Sequence, residues 1–430
     1  MQHIIKKQII DLSLERGLDA FRIQQQVSNY YLEKIVPLLQ VAFDAASDEE
    51  EIISIDNLEI DLGTINIKEI EKGNWEEKVF KKISEQLIPI KHGLSSVAKV
   101  KRKTSPLSIS DQWIFYMRHG YLPWNVLGIN EEWYNKTLET FASDVASINN
   151  LRNLITRHPD AVRRIVFQNS FSFLKSLVET LTTENQDALP FFIDEIAEII
   201  SSNDKNKKHN APAQKNEAVQ QLWMQVLQLA TLETKLKSAE FVRLLSGNNF
   251  SIQQQNEDKI EVKENEIYVS NAGIVLLHPF LNQFFKNLHL IEGSNFINIQ
   301  SQMKALYLLH YLAAGNINLK EHELVIAKIL CAFPLENPVD NLIEITEEEL
   351  QEADNVLASA IGQWEILKDT SADGFREGFL QRKGKLFTNN GNLVLQLEQS
   401  SIDMLLDHLP WNLSIVRLPW MKDVLKVEWR

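Results

Sequence analysis

Apolar and polar positions alternate in two short runs near the C-terminus, at residues 413–418 and 424–429. A period of two is typical of a β-strand, and two such runs separated by a few residues predict a β-hairpin. Leu-Pro-Trp triplets end at Trp411 and Trp420, and Trp429 closes the second run. Because an indole has up to about 250 Å² of surface to bury, we expect these tryptophans to be docking anchors, either in the core or against a partner.

The N-terminal part of the chain combines strand and helix periodicity. Alternation and three-to-four spacing of apolar residues predict a strand, a helix, a strand and a helix at residues 4–15, 20–44, 53–63 and 75–87. Asp19 is placed to cap the first helix, and Pro37 should kink it. This order predicts a small α+β domain, a βαβα unit, over residues 1–91.

The middle of the chain is predicted to consist of short helices between two polar segments. Residues 92–108 and 203–216 lack periodicity and predict flexible linkers. The first contains a basic cluster at 99–103, but without interleaved aromatic residues this favours a linker over a nucleic-acid patch. Residues 109–202 carry short amphipathic runs, and a third Leu-Pro-Trp triplet ends at Trp124, a further candidate anchor. No fixed repeat period decides between a helical bundle and a solenoid.

The rest of the chain is predicted to be mainly helical. Residues 217–256 carry one long helix, predicted over 217–245. Residues 257–430 are predicted to form a helical domain with β-hairpins, one of them marked by Asn390 and Gly391 between alternating runs. Together with the N-terminal unit, this pattern predicts an α+β fold that is mostly α-helical.

Charge and cysteine content narrow the function classes. The formal net charge is −14 over 430 residues, which argues against sequence-independent nucleic-acid binding because that needs basic patches. The single cysteine, Cys331, lies in an apolar run with no neighbouring base to activate it, so we expect a buried thiol. No stretch of about 18 apolar residues is present and the N-terminus lacks a secretion signal, so we expect no membrane span and a cytoplasmic location.

Candidate chemical sites are weak. The sequence contains no P-loop, dinucleotide-binding, zinc-protease, nucleophile-elbow or CxxC motif. Glu59 and Asp61 alternate on one strand face, which favours solvated carboxylates over a metal site. The other polar candidates are better explained as core or surface histidines and as a solvated helix face: His278, His310 and His322, then Asp403, Asp407 and His408. We therefore predict no catalytic, cofactor-binding or metal-binding residues, and no enzyme activity.

Several sequence blocks near the two ends of the chain together form an ordered set of motifs. They are HIIKKQIIDL, QQQVSNYY and SIDNLEIDLG, followed far downstream by NAGIVLLHPFL, LLHYLAAG, ELVIAKILCAFPL, DTSADGFREGFLQRKGKL and LPWNLSIVRLPWMKDVLKVEW. Together these blocks resemble the contractile injection system tape measure family, whose members belong to phage-tail-like particles. The resemblance covers residues 4–87 and 267–429. The middle matches weakly and is shorter and more broken than in longer family members.

This resemblance implies a non-enzymatic structural component that is associated with the inner tube and baseplate hub and helps set tube length. Its partners would be tube and hub proteins, with self-association left open and no nucleic acid or membrane involved. The short middle keeps a second interpretation open, an assembly factor or adaptor for tube, hub or cargo. Stoichiometry distinguishes the two, because a ruler stays in the finished particle and an assembly factor leaves.

Overall fold

The computed structural model describes residues 3, 5, 8–15, 17–46, 51–55, 57–66, 68–69, 75–91, 100–126, 128–203, 211–232, 237, 241, 243, 266–389 and 391–429. The chain divides into two compact units, Met1–Ile109 and Ser110–Arg430. Each unit combines helices with a small β-sheet.

The long element of the first unit is a helix interrupted by one π-helical segment. It consists of α1 (Ala20–Tyr30), the π segment Tyr31–Ile35 and α2 (Val36–Ala46). Asp19 caps its start as predicted, since its side chain accepts a hydrogen bond from the backbone N–H of Arg22 at 3.1 Å. Pro37 lacks the N–H that the α-helical ladder needs and its ring crowds the preceding turn, which explains the wider π segment before it.

A two-stranded sheet and one further helix complete the first unit. Strands β1 (Glu51–Ile55) and β2 (Val100–Thr104) pair antiparallel, and helix α3 (Glu76–Lys91) packs against α2. The rings of Tyr30 and Trp75 stack with their centroids 4.8 Å apart. The core of this unit therefore lies between the interrupted helix and α3.

Two strand predictions in this unit need correction. The described residues of 4–15 pair with no strand, and the run 53–63 contributes only residues 53–55 to β1. Strand β2 comes instead from residues 100–104, inside the segment predicted to be a linker, whose residues 92–99 lie outside the described part. Alternation indicates which side chains share a face, but the pairing partner is set by distant parts of the chain.

Consecutive short helices follow, which confirms the predicted helical middle. They are α4 (Ser105–His119), α5 (Glu131–Ser143), α6 (Val145–Arg157), α7 (Pro159–Gln168), α8 (Phe171–Thr182) and α9 (Leu189–Asn203). Asn130, Asp144 and Ser170 cap α5, α6 and α8, because each side chain accepts a hydrogen bond from a backbone N–H in the first turn.

Helix α10 (Ala211–Leu232) is the long helix of the middle, displaced from its predicted position at 217–245. It begins inside the predicted second linker. Residues 204–210 of that linker lie outside the described part of the chain, and so does the predicted end of the helix at residue 245. The polar composition of its first turns concealed this start. One of those polar residues, Lys215, forms an ion pair with Glu198 of α9 at 2.8 Å.

The remaining described chain alternates helical segments with short strands. In order these are β3 (Glu266–Val269), the 3₁₀ segment Ala272–Leu277, α11 (His278–Asn287), β4 (Ile291–Glu292), β5 (Asn295–Phe296), α12 (Ile299–Ala314), the 3₁₀ segment Glu321–Leu324, α13 (Val325–Leu330), α14 (Glu347–Gln363), the 3₁₀ segment Glu365–Leu367, α15 (Ala372–Phe375), the π segment Arg376–Leu380, β6 (Gly384–Asn389), β7 (Asn392–Leu397), the 3₁₀ segment Ser401–His408, β8 (Ile415–Val416) and β9 (Leu425–Glu428). Apolar residues from these segments form one large buried core.

A five-stranded sheet in the second unit has the order β3-β6-β7-β9-β8. The β6–β7 hairpin turns at Gly391. Its φ is 77°, a backbone angle that residues with a Cβ rarely adopt. Strand β9 pairs antiparallel with β8 and parallel with β7. Both predicted hairpins are confirmed, and the last strand lies inside the sheet rather than at its edge.

The architecture agrees with the predicted class, a mostly α-helical α+β protein. The helices predominate, and the strands form small sheets. Within the described ranges, no helix combines the length and hydropathy needed to cross a lipid bilayer.

Candidate functional site

The indole of Trp420 lies inside the core of the second unit. Only 7% of the residue is exposed, and its Nε1 donates a hydrogen bond to the carbonyl of Leu330 at 2.7 Å. The ring packs against Phe296 with centroids 5.1 Å apart. Trp420 therefore ties the end of the chain to α13, with its one polar atom satisfied.

Trp411 and Trp429 lie in the same core from different directions. Trp411 is half-buried, its Nε1 donates to the carbonyl of Leu276 at 3.1 Å, and its ring meets Phe280 edge-on at 5.2 Å. Trp429 follows β9 and is 4% exposed, and within the described residues its Nε1 has no hydrogen-bond partner. The structure thus brings the three C-terminal candidate anchors to one core.

Trp124, the fourth candidate anchor, lies in a turn after α4 and is half-buried. It follows Tyr121, which is itself part of the large core. Trp124 itself is not among the residues of that core, whereas the C-terminal three belong to it or pack against it.

The helical middle and the C-terminal part of the second unit meet at a buried cluster of charges. Arg164 of α7, Glu321 before α13 and Lys328 of α13 have side chains no more than 1% exposed. Glu321 accepts a hydrogen bond from Nε of Arg164 at 3.1 Å and another from Nζ of Lys328 at 2.6 Å. One carboxylate thus pairs with two cations from different parts of the fold, and we call these three residues the ionic lock.

Backbone carbonyls satisfy the remaining donors of the ionic lock. Arg164 donates to the carbonyls of Met117 and Arg118 at 2.6 and 3.0 Å, and Lys328 donates to those of Leu335 and Asn337, both at 2.8 Å. Burial lowers the pKa of Lys328, and the neighbouring carboxylate opposes that shift. A buried charge is tolerated only when paired and hydrogen-bonded, a condition that all three side chains meet.

Gly120 makes room for the ionic lock. Its φ is 78°, and a Cβ built on it would lie 2.7 Å from an oxygen of Glu321 and 3.0 Å from a guanidinium nitrogen of Arg164. Both the backbone conformation and the available space therefore require glycine at the end of α4.

Side-chain amides reinforce the same junction. Asn341 donates to the carbonyl of Phe167 at 2.7 Å, and Gln220 of α10 donates to the side-chain oxygen of Asn341 at 2.8 Å. The backbone N–H of Glu321 donates to the side chain of Gln168 at 3.1 Å. Residues on α7 and α10 are thus joined directly to the loops around α13.

Two histidines lie near the ionic lock, His119 buried and His322 half-buried. Burial, assisted by the charges of Arg118 and Arg164, lowers the pKa of His119 to about 4. Burial, assisted by Lys320, lowers the pKa of His322 to about 3. Both imidazoles are therefore neutral at pH 7, and protonating either in place is unfavourable.

The chemistry that these surroundings offer is limited. Burial raises the pKa of the Cys331 thiol far above its usual range, so the thiol stays protonated. Among the described residues, no group of three or more His, Cys, Asp or Glu side chains is arranged to hold a metal ion. A cavity of about 10 Å³ lined by His310, Asn271 and Glu323 has room for about one water molecule.

One assignment of a solvated face is wrong. Asp403 is 5% exposed and forms an ion pair with Arg382 at 3.1 Å, whereas Asp407 and His408 are exposed. Asp403 also accepts a hydrogen bond from the backbone N–H of Ser400 at 2.7 Å, so it caps its own helical segment. Spacing alone could not reveal an arginine that lies far away in sequence.

The ionic lock was not singled out from the sequence, although a signal for it exists. Arg164 interrupts the apolar run of α7, and Lys328 interrupts that of α13. A charged residue on the apolar side of an amphipathic helix is rare unless it is paired. That signal indicates buried cations, but only the fold identifies Glu321 as their shared partner.

Comparison with known families identifies one match. The family model described as contractile injection system tape measure protein matches residues 2–429. This confirms the resemblance and extends it through the middle of the chain. No curated protein and no solved structure matches the chain.

Proposed function

We propose, from the premise that this chain belongs to the contractile injection system tape measure family, that it is a structural component associated with the inner tube and baseplate hub and that it helps set tube length. The observation that carries the proposal is the match to the family model over residues 2–429. The proposed site of action is the particle, assembled in the cytoplasm.

The folded dimensions constrain how such a chain could measure length. Helix α10, with 22 residues, spans about 33 Å at a rise of about 1.5 Å per residue. Residues 110–430 form one compact unit, and the ionic lock holds its helical middle to its C-terminal part. A measuring role therefore needs the middle to be released into an extended form, or a tube that is short.

The ionic lock also supports the second candidate, an assembly factor or adaptor. Removing one partner from a buried ion pair typically costs about 3–5 kcal/mol, so opening this unit is unfavourable without a compensating partner. An assembly factor would act in the closed form and leave the particle. The same closed form would suit an adaptor that presents a fixed surface to tube, hub or cargo.

Deletion of the gene followed by electron microscopy tests both candidates. A ruler predicts complete particles with tubes of irregular length, whereas an assembly factor predicts few or no complete particles. Quantitative mass spectrometry of purified wild-type particles adds the stoichiometry. If the protein is present in finished particles at a fixed copy number, the ruler is supported. If it is present in assembly intermediates but absent from finished particles, the assembly factor is supported.

For the candidate anchors we propose two different roles. The C-terminal tryptophans would hold the core, since Trp420 and Trp429 are buried there. Trp124 would be the partner anchor, because it is half-buried in a turn and keeps surface available for contact. Failure of a Trp124→Ala variant to enter particles, with unchanged thermal stability, would support this division.

A further inference from the structure

Residues 8–15, which we call the arm, carry exposed apolar side chains that belong to neither of the described hydrophobic cores. In an extended conformation, their alternation in the sequence would place Ile10, Leu12 and Leu14 on one side of the backbone. Their exposed fractions are 44%, 41% and 36%. Large apolar side chains grouped on one exposed face mark an interaction surface.

The backbone of the arm is also unpaired. Within the described part of the chain, residues 9–15 form no backbone hydrogen bond, and the arm's one described tie is the hydrogen bond from the Tyr31 hydroxyl to the side chain of Gln8. An extended segment with free N–H and C=O groups is a ready template for pairing with another strand.

A second alternating segment of the same unit gives the contrast. In residues 57–62, Leu58, Ile60 and Leu62 are half-buried and pack against the unit's own core. Their alternation is therefore explained inside the chain. The same pattern in the arm is not, because none of its apolar side chains belongs to that core.

The charges on the arm's other face indicate what would pair with it. Asp11 and Glu15 flank Ser13 there, and both are exposed. If the arms of two copies paired antiparallel about Ser13, Asp11 of one copy would lie opposite Glu15 of the other. If they paired parallel and in register, each carboxylate would lie opposite the same carboxylate of the other copy. Like charges directly opposite destabilise a strand pair, and the chain's net charge of −14 adds to the repulsion between copies.

We propose that the arm adds as a strand to an open sheet edge of a partner protein whose edge strand carries Lys or Arg opposite Asp11 and Glu15. Backbone hydrogen bonds to that edge supply affinity, and the apolar face formed by Ile10, Leu12 and Leu14 is covered by the partner's alternate side chains. The two carboxylates select a basic edge over an acidic one. That the partner is a particle subunit rests on the proposed function, whereas the strand pairing does not.

A peptide assay on the full-length chain tests the pairing directly. The probe is a labelled synthetic peptide alternating Val with Lys, with two controls: a Val–Glu peptide, and a Val–Lys peptide N-methylated along both edges. The methylated control keeps the charge but cannot pair, so it separates strand addition from attraction to an acidic protein. We expect the Val–Lys peptide to bind about tenfold or more tightly than either control, a difference of about 1.4 kcal/mol.

Two proline variants locate the binding on the arm. Leu12→Pro removes an N–H that points to one edge, and Ser13→Pro removes one that points to the other. Because residues 9–15 make no described backbone hydrogen bonds, both variants should melt like the wild type, and one or both should lose peptide binding. Equal binding by wild type and both variants, or equal binding of the methylated peptide, overturns the proposal.

A further experiment tests whether a second copy of the chain occupies the arm. Sedimentation that shows a wild-type dimer dissociated by Leu12→Pro would assign the arm to a second copy and overturn the proposal.

In purified particles, Ser13→Cys introduces an accessible thiol, since Cys331 is fully buried, and cross-links should reach a Lys- or Arg-bearing edge strand of another subunit. Absence of the chain from particles would defeat the proposed function while leaving the peptide result unchanged, so the two failures are distinguishable.

Discussion

Glu321 accepts a hydrogen bond from Nε of Arg164 at 3.1 Å, although the two residues are 157 positions apart and both side chains are fully buried. The pair, completed by Lys328, makes the helical middle and the C-terminal part of the second unit depend on each other.

Arg164→Met should strongly destabilise the second unit. The change leaves backbone carbonyls of α4 without their donor and removes one of the two cations around Glu321, so we expect a loss of about 3–5 kcal/mol in the free energy of unfolding. Urea unfolding followed by tryptophan fluorescence measures it. The matched control is Arg163→Met, which removes an exposed pair with Asp160 and should change stability by less than about 1 kcal/mol. Equal effects of the two variants would contradict a role for the ionic lock.

Gly120→Ala should destabilise the same junction by two separable effects. The positive φ costs about 1 kcal/mol for a residue with a Cβ, and the clash with Glu321 and Arg164 adds to it. Gly391→Ala has nearly the same φ but no atom within 4 Å of the added Cβ, so it reports the backbone effect alone. Gly128→Ala, in open space without positive φ, should be neutral. Similar melting temperatures for the Gly120 and Gly391 variants would exclude the clash.

These contacts show why the sequence predicts the elements better than their partners. Alternation around Gly391 and the polar cap Asp19 correctly locate a hairpin and a helix start, because both depend on neighbouring residues. The partner of β1 could not be predicted, since residues 100–104 lack alternation and pair through backbone atoms. The ionic lock was missed for a similar reason: its carboxylate reaches the two cations only through the fold.

Trp420→Ala should cost about 3–5 kcal/mol in unfolding free energy if the indole serves the core. Its loss would leave a cavity beside Phe296 and a buried Leu330 carbonyl without its donor. Trp420→Phe keeps most of the ring and loses the hydrogen bond, so about 1 kcal/mol is expected. Ile415→Ala, at a site 54% exposed, is the control. A full-length Trp420→Ala protein that melts like the wild type but no longer enters particles would make this residue a partner contact instead.

Stability should fall as the pH drops from 7 to 5. The pKa values of His119 and His322 are lowered from 6.5 to about 4 and about 3 in the folded protein. Below pH 6.5 these two histidines therefore bind protons in the unfolded chain but not in the folded chain. Their contribution to the free energy of unfolding is complete above pH 6.5 and falls as the pH drops towards about 4 for His119 and about 3 for His322. His322→Gln should flatten the dependence of the urea midpoint on pH, whereas His408→Gln, at an exposed position, should leave it unchanged. An unaltered slope in the His322 variant would contradict the assignment.

Insertion of helical residues after Asn210 tests whether the chain measures length. This position lies outside the described residues, between α9 and α10. If the middle is extended in the particle and the insert stays helical, the tube should lengthen by about 1.5 Å for each residue added. The matched control places the same inserts after Gly391 in the β6–β7 turn, where tube length should not change. Electron microscopy of a graded series provides the measurement. Tubes of unchanged length across the Asn210 series, with the chain present during assembly, would remove the ruler and leave the assembly factor.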